Sequence, residues 1–278
     1  MSEENNKITL GGDNKQKEQI PKEFIDNEFI TPTEEVKLPS KGIFYLNKKD
    51  TVKVKYLTAE EDNILFSPEL IKSGKVLDAL LQKAIVDKDI NPNDMIVGDR
   101  NTVLIHLRRT GLGEMYQPGK MICPSCGESY EPVVNLNDLQ LKWIDVMPDE
   151  EGLYDFELPI MKRTIKFRFL NGYDENKIAK ALSTTIRKNA NGVYKVAQTI
   201  TERYKLQIME VEGNKDKFYI SKLISAMPMK DSLAFREYVR IISPGIDLNY
   251  KFECSHCGHV YEEEVPMTYR LFYPDANL

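Results

Sequence analysis

Cys123-Pro124-Ser125-Cys126-Gly127, trailed by Tyr130-Glu131, and Cys254-Ser255-His256-Cys257-Gly258, trailed by Tyr261-Glu262, are near copies of each other. Together they hold all 4 cysteines of the 278-residue chain. Each is a C-x2-C knuckle that supplies two thiolates, and a closed structural zinc site takes four ligands. The economical reading is one tetrahedral zinc ion on Cys123, Cys126, Cys254 and Cys257, clasping two stretches that lie 131 residues apart (123 to 254).

A redox dithiol is the competing reading of C-x-x-C, and it expects the pair at the mouth of a helix that follows a strand. Residues 248–254 instead read Leu-Asn-Tyr-Lys-Phe-Glu-Cys, and residues 260–265 resume as Val-Tyr-Glu-Glu-Glu-Val, which places the second pair at a β-hairpin tip. The Gly after each pair suits the left-handed turn of such a tip. Disulfides belong to exported proteins. The N-terminal Met1-Ser2-Glu3-Glu4-Asn5-Asn6-Lys7 has no apolar signal core, and no segment is long and apolar enough to span a membrane. His256 and His259 are substitute ligands, but Ser125 and Glu128 stand in the matching places of the first copy, so four thiolates are preferred.

Working outward, the likeness of the two halves continues. Val52-Lys53-Val54-Lys55-Tyr56-Leu57 reads like Ile165-Lys166-Phe167-Arg168-Phe169-Leu170, both alternating as half-buried strands do. Thr58-Ala59-Glu60-Glu61 is a capping box, and Asn171-Gly172-Tyr173-Asp174 is also cap-rich. Helical apolar stripes follow: Val76, Leu77, Leu80, Leu81, Ala84 and Ile85, then Phe218, Ile220, Leu223, Ile224 and Met227. A capped helix leads into each knuckle, Asp99 to Arg109 with Asp99 as N-cap and a stop at Gly111, and Asp231 to Ile242 with a stop at Pro244-Gly245. The strands are 113 positions apart (52 to 165) and the knuckles 131, so the second copy carries about 18 extra residues. They fall within 183–216, read as a polar loop at 187–192 and an added helix over Ile200 to Val211.

The expected fold is α+β: two internally duplicated units, 36–145 and 146–278, each a strand plus helices followed by a β-hairpin zinc knuckle, joined by a shared zinc-ribbon-like site. Residues 1–35 form an N-terminal arm: 1–22 disordered, and 23–35, with Phe24, Ile25, Phe29 and Ile30, a segment that docks on a partner. Residues 267–274 are apolar enough to anchor on the core or on another subunit.

A net charge of −5 argues against a general nucleic-acid binder. The local basic groups, Lys162, Arg163, Lys166 and Arg168 on one strand and His106, Arg108 and Arg109 at a helix end, read as solvated or dipole-complementing cations. A zinc ribbon with a basic face touching nucleic acid is the alternative function. Evidence for catalysis is poor. Gly113 to Lys120 has one spacer too many for a phosphate loop, with Met121 where the magnesium ligand belongs, and reads as a Gly-Pro turn. There is no G-x-S-x-G, no H-E-x-x-H and no G-x-G-x-x-G after a strand. His106 is the one His outside a knuckle and reads as structural. A four-thiolate zinc site also lacks an open coordination position.

Leu38-Pro39-Ser40-Lys41-Gly42, Leu57-Thr58-Ala59-Glu60-Glu61-Asp62, Leu70-Ile71-Lys72-Ser73-Gly74, Ile96-Val97-Gly98-Asp99-Arg100-Asn101 and the first knuckle occur in that order. Over residues 36–132 the chain resembles the baseplate hub proteins of T-even-like contractile-tailed bacteriophages. The second half departs at Lys230-Asp231-Ser232, where Gly-Asp-Arg-Asn is missing. The resemblance implies a non-enzymatic structural or assembly role in the tail baseplate hub, in the virion after assembly in the host cytoplasm. Its partners are other hub and tail proteins, with no small-molecule substrate and no membrane. Asp99, Arg100 and Asn101 are the expected partner contacts, with Arg100 as the anchor.

Overall fold

A computed structural model describes residues 30–183 and 199–272. The arm up to residue 29, the loop expected at 187–192 and residues 273–274 lie outside the described residues.

Among the described residues the first elements are β1 (Thr33–Lys37) and β2 (Thr51–Lys55), an antiparallel pair with Val36 opposite Val52. Helices α1 (Ala59–Leu65), α2 (Pro68–Ser73), α3 (Val76–Ala84) and α4 (Val97–Leu112) follow. Short strands β3 (Met115–Tyr116), β4 (Met121–Ile122), β5 (Ser129–Tyr130), β6 (Val134–Asn135) and β7 (Leu141–Lys142) carry the chain through the first knuckle. Then come β8 (Tyr154–Glu157), β9 (Thr164–Phe167), α5 (Gly172–Ser183), α6 (Thr199–Gln207), β10 (Ile208–Val211), α7 (Lys217–Ala226) and α8 (Met229–Ile242). Strands β11 (Gly245–Ile246), β12 (Asn249–Glu253) and β13 (Val260–Glu264) lead to a 3-10 turn at Tyr269–Phe272. The protein is thus a mixed α+β structure with small antiparallel sheets.

Two hydrophobic clusters hold it together. The first centres on Leu38, Leu80, Leu81, Leu107 and Tyr116, and it also takes in Phe252, Val265, Leu271 and Phe272 from the far end of the chain. The second gathers Tyr154, Phe167, Tyr204, Ile224 and Phe235, with Ile96 from the start of α4. The C-terminal stretch therefore packs into the core built by the N-terminal elements. Its anchoring is visible in Leu271 and Phe272, both buried.

Two buried carboxylates start helices in the same way. Glu61 accepts from the Thr58 N–H, while Thr58 caps α1, and Lys55 at the end of β2 closes an ion pair on Glu61 at 2.8 Å. Asp174 accepts from the Asn171 N–H at 3.2 Å, Asn171 accepts from the Asp174 N–H at 3.1 Å, and Arg168 beyond β9 pairs with Asp174 at 2.7 Å. Such reciprocal bonds satisfy amides that a helix start leaves free. Lys166 and Arg168, expected to face solvent opposite Phe167 and Phe169, alternate with those two buried rings. Both are partly covered and paired there, Lys166 with Asp149 at 2.6 Å.

Other expectations need correction. The α4 N-cap is Ile96, and the helix runs through Gly111 to stop at Gly113, where φ is 83°. Gly111 lies within the helix, and a Cβ there would stand 3.4 Å from Leu57. The helix expected over Ile200–Val211 ends at Gln207, and Ile208–Val211 joins β9 as the third strand of the β10-β9-β8 sheet. Ile208 and Val211 are both buried there, so sheet burial overrides helical continuation. Phe218 is not core: it is 67% exposed, with the Lys222 ammonium 4.5 Å above its ring. Gly113 to Lys120, read as a Gly-Pro turn, contains β3, and Arg108, expected as a solvated or dipole-complementing cation, is buried and donates at 2.6 Å to both Gly113 O and Met115 O.

Candidate metal centre

Each knuckle is the tip of a hairpin, β4–β5 or β12–β13. At the first, the Cys123 N–H donates to Glu128 O and the Gly127 N–H to Cys123 O. At the second, the Cys254 N–H donates to His259 O and the Gly258 N–H to Cys254 O. The turn closes through a left-handed residue, Gly127 at φ 75° and Gly258 at φ 69°, a conformation glycine adopts without a Cβ penalty. This geometry turns both sulfurs of each pair the same way.

The two tips meet. Cys123 Sγ lies 3.8 Å from Cys257 Sγ, and Cys126 Sγ 3.8 Å from Cys254 Sγ. All four sulfurs lie within 4.8 Å of one another, and none is in a disulfide. Cys123 and Cys254 are buried while Cys126 and Cys257 are exposed. Neither His256 nor His259 belongs to the cluster; the His259 ring stacks on Tyr261 at 6.1 Å. Beneath the sulfurs the Tyr130 hydroxyl donates to the Tyr261 hydroxyl at 2.9 Å. These are the tyrosines that follow the two knuckles in sequence.

The electrostatics suit a cation. Backbone N–H groups of Cys126 and Ser125 pull the Cys123 thiol down to about 6. At Cys257 the His259 N–H acts in the same direction, but burial and the neighbouring sulfurs outweigh it and push the thiol up to about 12. One thiolate is prepared and the next is resisted, because like charges this close disfavour a second ionisation. A bound metal ion removes that resistance, since metal coordination deprotonates thiols. The cluster is suited to hold one.

The Asp99-Arg100-Asn101 triplet sits in the first turn of α4, away from the cysteines. Asp99 is not an N-cap. It is fully buried and accepts from the Ser40 N–H at 3.0 Å, the Ser40 hydroxyl and the Tyr45 hydroxyl. Burial raises its carboxyl above the ordinary aspartate range, against the pull of those donors. Arg100, which had no local explanation in the sequence, is 7% exposed and bonds Asp78 and the Pro92 carbonyl. Asn101 lines a cavity of about 230 Å³ between α4 and β11.

Sequence reading missed that Asp231 repeats the role of Asp99. It is fully buried in the first turn of α8 and accepts from the Ile160 N–H at 2.6 Å and the Met161 N–H at 3.0 Å. The signal was present in Leu38-Pro39 and Leu158-Pro159, which precede the two loops so held. A second missed feature is Gly98 against Gly245: a Cβ on Gly98 would stand 1.8 Å from Pro244 O. Only glycine lets the start of α4 touch the strand that leads to the second knuckle.

Among the described residues no helix is long and apolar enough to cross a membrane. No curated protein and no solved structure matches the chain. The family model described as T4 bacteriophage base plate protein matches residues 30–269, a span that contains both knuckles, the buried Asp99, Asp174 and Asp231 and the glycine contact, and the chain therefore belongs to the T4 bacteriophage base plate protein family.

Proposed function

We propose that this protein is a non-enzymatic structural or assembly component of the central hub of the tail baseplate, one α+β unit written twice and stiffened by a single zinc ion on Cys123, Cys126, Cys254 and Cys257. Membership of a baseplate family implies association with other baseplate proteins. The observation that carries the rest is the convergence of the two knuckles.

Zinc is favoured by distance. A Zn–S bond of about 2.3 Å gives a tetrahedral S···S edge of about 3.8 Å, and the two cross-knuckle pairs stand at 3.8 Å. Such an ion acts as a clasp between hairpins from opposite ends of the chain. Duplication is supported by matched roles at matched spacing: Lys55, Thr58 and Glu61 against Arg168, Asn171 and Asp174, then Asp99 against Asp231 and Tyr130 against Tyr261. Of the triplet first singled out, Asp99 and Arg100 are spent on internal bonds, and Asn101 is the member placed to meet a partner.

Quantitative mass spectrometry of purified particles beside infected-cell lysate tests the role. A fixed ratio to tail proteins in particles makes the chain a built-in hub component. Abundance in lysate with absence from particles makes it an assembly factor. Salt-sensitive retention on DNA or RNA without any association with baseplate proteins would refute both.

A further inference from the structure

Two hairpins of this fold turn from the same starting point, and one uses far more chain than the other. Between β8 and β9 the Leu158 N–H donates to Arg163 O, and 4 residues (159 to 162) lie inside that closing pair. Between β1 and β2 the Leu38 N–H donates to Asp50 O in the same way, but 11 residues (39 to 49) lie inside. Both loops begin Leu-Pro, and both are gripped by a buried aspartate in the first turn of a helix, Asp231 or Asp99. The β1–β2 loop is thus 7 residues (11 against 4) longer than its counterpart, which turns without them.

The added residues are not slack. Successive turns run through them, with the Ile43 N–H on Ser40 O, the Tyr45 N–H on Gly42 O and the Lys48 N–H on Tyr45 O. The two arms of the loop touch at its neck, where a Cβ on Gly42 would stand 2.0 Å from Lys49 O. Phe44 meets Phe169 edge-on, with ring centroids 5.6 Å apart. The Tyr45 hydroxyl donates to Asp99 and accepts from the Ile96 N–H at 3.2 Å, while Asn47 and Lys49 are both tied to Asp89. Lys41 and Lys48 are left-handed, at φ 53° and 47°, a conformation that costs a residue with a Cβ and persists only where the surroundings impose it.

Between the tethered Tyr45 and Asn47, Leu46 is fully exposed. A lone leucine on a loose surface loop means little. This one stands on a loop fixed by a buried carboxylate, by a closed neck and by strained backbone on both sides, so its position is set before any partner arrives. Ordering that is complete in the free protein does not weigh against binding, which is how a preformed contact gains affinity. A convex tip calls for a concave partner surface. Lys41 and Lys48 stand exposed beside it, so the complementary rim is acidic. A lipid surface fits less well, because even a whole acyl chain alone binds membranes only marginally and one leucine buries less. We infer that the β1–β2 loop is a preformed knob whose Leu46 enters an apolar, acid-rimmed pocket on another baseplate protein. This deepens the reading of the chain as a baseplate component and rests on it.

The test uses the full chain. In infected cells the photo-crosslinker p-benzoylphenylalanine replaces Leu46, with the exposed Met147 and Ile241 as control positions, and mass spectrometry identifies what each captures and at which residues. Position 46 is expected to capture one baseplate protein at an apolar site beside Asp or Glu. That protein, purified, should bind the wild type, and Leu46→Asp should weaken it about thirtyfold or more, as loss of an interface anchor does. Lys48→Glu should weaken it less, by an amount that shrinks at high salt. Both variants should melt within about 1 °C of the wild type, as surface changes do. A clear fall in melting temperature for Leu46→Asp makes the leucine structural and overturns the inference. Capture at 46 of a second copy of this chain overturns it too, as does binding to anionic phospholipid vesicles that Leu46→Asp abolishes with no protein captured. Baseplate proteins captured from 147 or 241 but not from 46 overturn it while leaving the baseplate reading intact. Capture of none from any position removes that reading and the inference with it.

Discussion

Replacing Gly98 with Ala should separate the two ends of the fold without touching a cysteine. The new Cβ would stand 1.8 Å from Pro244 O, 2.9 Å from Pro244 C and 3.1 Å from Gly245 Cα. Ordinary contact begins near 3.4 Å, so α4 and β11 must part by about 1.6 Å. No flexible side chain can yield, because every atom met is backbone. β11 is pinned on its other side by its pairing with β7, Gly245 opposite Lys142 and Ile246 opposite Leu141. Overpacking costs about 1–3 kcal/mol, and weakening that two-residue ladder adds about 1 kcal/mol per bond lost. Alanine in a helix recovers about 1 kcal/mol over glycine. The net is a loss of about 2–4 kcal/mol, and for a body of this size about 2–4 °C of melting temperature follows each kcal/mol. Calorimetry should therefore place the variant about 4–16 °C below the wild type. Gly111→Ala in the same helix is the control: its Cβ meets Leu57 at 3.4–3.7 Å, an ordinary contact, and its melting temperature should hold or rise. A Gly98→Ala protein melting within about 1 °C of the wild type, or a Gly111→Ala protein falling equally far, would refute the reasoning.

Cys123→Ser with Cys254→Ser should bind no zinc by elemental analysis and melt at least about 10 °C lower, since structural sites contribute several kcal/mol of folding energy; unchanged metal content and stability would end the clasp proposal. Glu61→Gln should cost about 1.5–3 kcal/mol at neutral pH through the Lys55 pair. Burial pulls the Glu61 carboxyl upward, but Lys55 and Thr58 outweigh it and hold it below the ordinary range. Its contribution is therefore complete above the unfolded-state pKa and lost as pH falls through the folded one. The wild-type advantage in urea melts should narrow progressively as pH falls below the unfolded-state range of about 4; a gap that does not narrow at all between neutral pH and the acid limit of folding contradicts the assignment. Tyr130→Phe and Tyr261→Phe, singly and together, should show a coupling of about 0.5–1.5 kcal/mol for the hydroxyl pair at 2.9 Å. Strict additivity of the two losses would mean the hydroxyls do not bond.

Local rules were legible in the sequence, and long-range roles were not. The hairpin tips, the glycines behind them and the Thr58 capping box follow from residue types a few positions apart, and they stand as read. The cysteine cluster was legible because four thiols at paired spacing have few other uses. Asp99 shows the limit: its local pattern fits an N-cap, yet its partners are Ser40 and Tyr45, more than 50 positions away. Arg100 looked free for the same reason, since Asp78 lies on another helix. Ile208–Val211 has a pattern that helix and strand both satisfy, and only the waiting edge of β9 decides between them. The packing of Phe252 and Leu271 into the N-terminal core follows from tertiary closure alone, which no window of sequence contains.

The order in which the chain is made gives the cysteine cluster a temporal meaning. Cys123 and Cys126 leave the ribosome 131 residues ahead of Cys254 and Cys257. At about 5–20 residues per second the first pair waits roughly 7–26 s for its complement. Through that interval the nascent chain holds half a binding site, too few ligands to close around an ion. Phe252, Val265 and Leu271, which complete the N-terminal core, arrive in the same late window. A chain cut short before Cys254 forfeits both at once, so ribosome pausing or a premature stop leaves a product that cannot pass for the finished one.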